Sequence, residues 1–129
     1  MDALNRYGPL TARVLLSLLF IMSGFGKIMA FNGTIQFMQS VGVPFASFAI
    51  VISIIIEIGG GLFILLGLKT KWTAWILIGY TIIATLIFHV PYLSDQNQMV
   101  NLLKNLGIIG GFILLAIHGP GPFSLDKNR

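Results

Sequence analysis

Glu57 is the one charged residue in the apolar run from Phe45 to Leu68, and it sits close to the middle of that run. Those 24 residues, as a helix, are long enough to cross a hydrocarbon core of about 30 Å. An ionised carboxylate at that depth is costly, by about 2.5–3.5 kcal/mol on insertion scales for Asp. It requires a cationic partner, a bound proton or a water-filled cavity. Lys27 and Lys104 interrupt other apolar runs and are candidate partners, and Arg13 is a third cation in such a run. His89, Asn101 and Asn105 add neutral groups that donate and accept hydrogen bonds. The chemistry open to this set is proton exchange at a carboxylate, or capture of an anion or polar headgroup by ammonium groups. A structural ion pair that fixes helix register is the competing role, and no catalytic role is assigned to any residue.

These side chains belong to a chain built for a membrane. Of its 129 residues 56% are hydrophobic and 9% charged, and the mean hydropathy is +0.91. A soluble domain carries about 25% charged residues. The basic residues flank or enter apolar runs and form no stripe between aromatics, so a pI near 9.8 does not point to nucleic acid. The absence of cysteine excludes disulfides, thiolate metal sites and thiol redox chemistry by the chain itself. No metal-ligand spacing, phosphate-binding glycine loop or nucleophile triad is present, and no cofactor is evident from the residues.

Hydropathy predicts four spans, residues 9–31, 45–68, 72–90 and 98–118, in a single transmembrane domain covering residues 1–129. Pro9 suits a first helical turn. Arg13 and Lys27 bracket 13 uncharged residues, as in a signal peptide, but no small-x-small cleavage pattern follows Lys27. The first span is therefore retained. Between the first two spans, Ile35, Phe37, Met38 and Val41 alternate with Gln36, Gln39 and Ser40. That spacing predicts a short interfacial helix from Thr34 to about Ser40, stopped by Gly42 and Pro44. The expected fold is all-α: an antiparallel four-helix transmembrane bundle with one short interfacial helix between helices 1 and 2. Arg6, Arg13, Lys69, Lys71, Lys127 and Arg129 fall on one side, which the positive-inside rule assigns to the cytoplasm with both termini.

Helical spacing aligns the polar groups of each span: Arg13, Ser17, Gly24 and Lys27; then Ser53, Glu57, Gly60 and Gly61; then Thr81, Thr85 and His89; then Asn101, Lys104 and Asn105. Lipid offers these groups no partners, so the stripes should converge. Thr81 and Thr85 can instead bond their own helix backbone. Gly60 and Gly61 thin one face and should let a neighbouring helix come close. Side chains lean toward the N-terminus of their own helix, which carries Glu57 and Lys27 toward each other. A Glu57–Lys27–Lys104 cluster is predicted, ringed by Asn101, Asn105 and His89 and open to the outer side. Its net positive charge suits an anion or a polar quinone-like headgroup. Arg13 is expected to snorkel to the cytoplasmic headgroups, with a water-mediated link to Glu57 as the alternative. His89 and His118 fall on opposite sides of the bilayer and do not make a bis-histidine haem site.

Several segments taken together carry a family resemblance. They are Arg13 with Ser23-Gly24-Phe25-Gly26-Lys27, Phe31-Asn32-Gly33-Thr34, Glu57-Ile58-Gly59-Gly60-Gly61 with Leu66-Gly67, His89, Lys104-Asn105-Leu106, and the run Gly119-Pro120-Gly121-Pro122-Phe123-Ser124-Leu125-Asp126. The chain resembles, over nearly its whole length, the DoxX family of small bacterial inner-membrane proteins, and within it the YphA-like subgroup. The resemblance implies a four-helix inner-membrane protein. Some relatives are linked to thiosulfate:quinone oxidoreductase or to membrane redox complexes. Three readings stand as expectations. One is a quinone-binding or redox-accessory subunit, with Lys27, Lys104 and His89 at the headgroup and Glu57 as charge balance or proton acceptor. Another is a small proton-coupled transporter. The third is a structural or assembly partner without activity of its own. The expected partners are the lipid bilayer, a small-molecule or quinone ligand, a membrane redox complex and, in an oligomer, further copies; nucleic acid is not among them.

Overall fold

The computed structural model describes residues 2–92 and 94–126. Helix α1 covers Asp2–Met29, α2 Phe31–Ser40, α3 Ala46–Leu66, α4 Thr70–Phe88 and α5 Gln96–His118. A short 3-10 turn, Val90–Tyr92, lies between α4 and α5. Helices α1, α3, α4 and α5 are each long and apolar enough to cross a membrane, and no strand occurs among the described residues. The fold is the all-α membrane bundle expected from hydropathy.

The element ends differ from expectation for local reasons. The polar N-terminal residues extend α1 back to Asp2, whose carboxylate suits the positive end of the helix dipole. Pro9 thus lies inside the helix and not in its first turn. α2 starts at Phe31, earlier than Thr34, and gives way to Gly42, which takes a left-handed φ of 85°. The reversal between α3 and α4 uses Gly67 (φ 69°) and Lys69 (φ 50°), so Thr70 and Lys71 are already helical. A side chain at residue 67 would collide with Ser124, so glycine is required there by space as well as by φ.

α3 is not regular throughout. Ile55–Gly59 forms one π-helical turn with Glu57 at its centre. Such a turn adds one residue to a helical repeat and re-aims the side chains within it. Hydropathy carries no signal of it.

The glycines decide how closely the helices pack. A Cβ on Gly61 would stand 2.7 Å from Ile21 Cγ1 and 3.2 Å from the Ser17 carbonyl oxygen, so α3 nearly touches the α1 backbone there. A Cβ on Gly60 would meet Leu77 of α4 at 2.9 Å. The core gathers Phe20, Ile64, Leu77, Ile108 and Phe112 from all four spanning helices, with Phe20 set edge-on to Phe112 at 5.6 Å. A smaller cluster, Met38, Ala46 and Ile50, seats α2 on the start of α3.

Arg13 overturns its expected position at the headgroups: it is completely buried. Its Nε donates to Pro120 O at 2.9 Å, Nη1 to Leu65 O at 2.8 Å and Ile64 O at 3.2 Å, and Nη2 to Phe123 O. The cause is the C-terminal segment. Gly119 and Gly121, both with φ of 82°, turn the chain back after α5. Residues 120–126 then lie across the α3–α4 reversal, where Leu125 N–H donates to Leu66 O and Asp126 N–H to Gly67 O. Helix α3 ends with unpaired carbonyls, and the five-donor fork of a guanidinium gathers them together with those of the returning segment. Asp126 in turn accepts from Lys69 N–H at 2.6 Å and Thr70 N–H at 2.9 Å, capping α4. Burial pushes the Asp126 carboxyl up, but the bonds from Thr70 and Lys69 and the Arg13 charge outweigh it and hold it below the ordinary carboxylate value.

Candidate functional site

At the other end of α1 the polar groups behave differently. Glu57 is 4% exposed, and its partner Lys27 keeps 25% of its side-chain surface. Lys27 Nζ reaches both carboxylate oxygens at 2.8 Å, the one ion pair among the described residues. The same ammonium donates to Ser23 Oγ at 3.1 Å, one turn back on α1. Ser23 Oγ donates to Glu57 Oε2 at 3.3 Å, and Tyr80 of α4 donates its hydroxyl proton to the same oxygen at 2.7 Å. A deeply placed carboxylate is thus met by one cation and two hydroxyls, which offsets its desolvation.

This set forms one wall of a cavity of about 470 Å³. Ser23 and Lys27 border it from α1, Thr34, Phe37 and Met38 from α2, and Ser53 and Glu57 from α3. From α4 come Tyr80, Thr81, Phe88 and His89 at its end, and from α5 Gln98, Lys104, Asn105 and Ile108. Phe37 and Phe88 stack at 5.8 Å, closing the side under α2. The volume lies in the range of small-molecule sites, about 300–1,000 Å³.

The other sequence-selected residues divide clearly. Lys104 lines the cavity but makes no ion pair or hydrogen bond among the described residues; Glu57 is bound by Lys27. His89 Nδ1 lies 2.6 Å from Gln98 Oε1, so Nδ1 carries the proton and Nε2 is left as an acceptor. Asn105 donates to Thr85 Oγ1 at 2.9 Å. Asn101 bonds Gln98 Oε1 at 3.4 Å and stays out of the lining. Arg13 does not join the site, since its donors are spent on backbone carbonyls of Ile64, Leu65, Pro120 and Phe123. Thr81 and Thr85 bond their own helix, to Leu77 O and Thr81 O.

Sequence reasoning missed Tyr80, Ser23 and Gln98. Tyr80 precedes Thr81 by one residue and so falls about 100° off the α4 polar stripe. It nonetheless reaches Glu57, which lies in the π turn. The available signal was a tyrosine hydroxyl inside an apolar span, which needs a partner when buried.

Fold and site together define a small polytopic membrane protein with a polar, ion-paired cavity among its helices. Its relatives agree: the DoxX family model matches residues 8–90, and the chain belongs to the DoxX family. It is 43% identical to inner membrane protein YqjF of Escherichia coli (strain K12) over 127 residues, covering 98% of this chain and 95% of that protein. It is 39% identical to inner membrane protein YphA of the same organism over 123 residues, covering 92% and 88%. CatD of Bacillus subtilis (strain 168), whose name carries oxidoreductase only as a suggestion, is 35% identical over 93 residues, covering 70% and 67%. No solved structure matches the chain.

Proposed function

We propose that this protein is a redox-accessory subunit of the bacterial inner membrane that binds the headgroup of a quinone in the cavity beside Glu57. The observation that carries this reading is a cavity of about 470 Å³ with aromatic walls whose lining includes Lys104, a basic residue with no ion pair or hydrogen bond among the described residues. The residues present fit such a group. Phe20, Phe37 and Phe88 offer flat apolar contact for a ring, while Lys104 and the second N–H of Asn105 can donate to carbonyl oxygens. His89 Nε2 can accept from a quinol hydroxyl. A bound quinone would supply two-electron, two-proton chemistry to a partner complex. The chain's own part is to bind and orient the ring, with Glu57 holding charge balance at the wall.

The oxidoreductase wording in the name of CatD supports the redox association, and the names of YqjF and YphA support the inner membrane. The basic residues Arg6, Lys69 and Lys71 lie on one side of the bundle, and Lys127 and Arg129 follow Asp126 in sequence. By the positive-inside rule both termini face the cytoplasm. The fixed Glu57–Lys27 pair favours binding over proton-coupled transport, because a carboxylate tied to a cation is a poor proton carrier.

The test is quinone content after gentle extraction, together with the thermal response of purified protein to a short-chain quinone. Bound quinone and a raised melting temperature are expected. Quinone-free protein with no response to added quinone would overturn the reading.

A further inference from the structure

The hydrogen-bonding inventory of the cavity narrows what can occupy it. The three Lys27 protons are taken by Ser23 and the two Glu57 oxygens. Tyr80 has given its proton to Glu57, and His89 its Nδ1 proton to Gln98. Thr81 and Thr85 are bound to their own backbone. The Glu57–Lys27 pair is neutral as a unit, so Lys104 leaves the cavity with one positive charge. Among the described residues no carboxylate is bonded to it, and Asp2 lies in the first turn of α1. The chain's four acidic side chains are Asp2, Glu57, Asp95 and Asp126. Glu57 belongs to Lys27, Asp95 caps α5 through Asn97 N–H, and Asp126 caps α4 at the far end of the bundle. Lys104, Asn105 and Ile108 border the cavity from one face of α5, so the charge stands beside a free amide N–H and an apolar wall. A hydrogen bond with one ionised partner is about twice as strong as a neutral one, and an anionic oxygen adds Coulomb attraction to the ammonium that a neutral oxygen lacks.

We infer that the cavity selects a lipid-soluble aromatic monoanion, its charged oxygen held by Lys104 and Asn105 and its ring set among Phe20, Phe37 and Phe88. This deepens the quinone reading and rests on it: the favoured headgroup carries an ionised hydroxyl. It also moves the headgroup contact away from Lys27, whose donors are spent.

The experiment titrates purified full-length protein at neutral pH with three probes. 2-Hydroxy-1,4-naphthoquinone is anionic, 2-methyl-1,4-naphthoquinone has the same rings without charge, and 2-naphthoate is an anion that is not a quinone. The hydroxyquinone is expected to bind about tenfold more tightly than the methyl compound. Lys104→Met should weaken the hydroxyquinone about tenfold more than the methyl compound and so abolish that preference, while Lys104→Arg should retain it. Lys104 makes no hydrogen bond or ion pair among the described residues, so the melting temperature of Lys104→Met should match wild type and confirm that it folds. Equal affinities, or a preference that survives Lys104→Met, would overturn the inference, placing Lys104 at the lipid headgroups and leaving quinone binding intact. Lys104-dependent binding of 2-naphthoate alone would keep the anion site and remove the quinone reading. If no probe binds, both fall.

Discussion

Arg13 and Lys27 are buried or half-buried cations on the same helix, and they are satisfied in opposite ways. Arg13 meets only main-chain carbonyls, at a point where α1, the end of α3 and the returning C-terminal segment touch. Four of its five N–H donors are bound in this way. Lys27 meets a side-chain carboxylate, and the pair lines a cavity that Lys104 lines as well. A cation surrounded by carbonyls can hold parts together but has no exchangeable partner. A cation paired with a carboxylate beside a cavity can answer to a ligand. The difference separates the closed, constructional end of the bundle from the end that holds the cavity.

The strongest way to break this comparison is at Arg13. Arg13→Met leaves several carbonyls without donors and should cost about 3–5 kcal/mol, read as a large fall in melting temperature and yield in detergent. Arg13→Lys should recover only part of it, since an ammonium lacks the planar fork. A wild-type melting temperature for Arg13→Met would show that the closed end does not depend on this residue.

At the open end, Glu57→Gln or Lys27→Met should each cost about 2–4 kcal/mol, less than at Arg13 because Lys27 keeps a quarter of its surface exposed. The double variant Glu57→Gln with Lys27→Met should recover much of the loss, whereas Glu57→Gln with Lys104→Met should not. Additive losses in the first double would dissolve the pair.

Between the two ends, Gly61→Ala should cost about 1–3 kcal/mol, since its methyl meets α1 backbone at Ser17. Gly60→Ala faces only the tip of Leu77 and should cost less. The order of the two melting temperatures checks which face is tight.

The smallest effect is expected at Asp126. Asp126→Asn should cost about 1 kcal/mol, the usual value of a helix cap. The depressed carboxyl adds stability that is complete above its ordinary value of 3.8 and is lost as the pH falls through the lower folded value. Wild type should therefore lose stability in that acid window, and Asp126→Asn should show a smaller loss there.

Much of this was legible in the residues. One acid in four long apolar runs demands a cation, and the lean of side chains on antiparallel helices allows Lys27 to meet it, though the choice between Lys27 and Lys104 stays open in the residues. The cavity wall from Lys104, Asn105 and His89 follows from helical spacing. Three things left no mark that could be read. The π turn at Ile55–Gly59 is a backbone choice made where glycines follow, and it holds Glu57, which accepts from Tyr80. The partners of Arg13 are carbonyls, which every residue carries, so no side-chain pattern announces them. The run Gly119–Asp126 reads as a helix stop with a polar tail, yet its two left-handed glycines fold it back onto the bundle.

That return has a consequence for biogenesis. Arg13 and its acceptor Pro120 are 107 positions apart. The arginine enters the membrane long before Pro120 and Phe123 are made. Until they dock, its guanidinium lacks two of the four carbonyls it holds in the folded bundle, so closure of this end waits on a long-range step that helix formation alone does not supply.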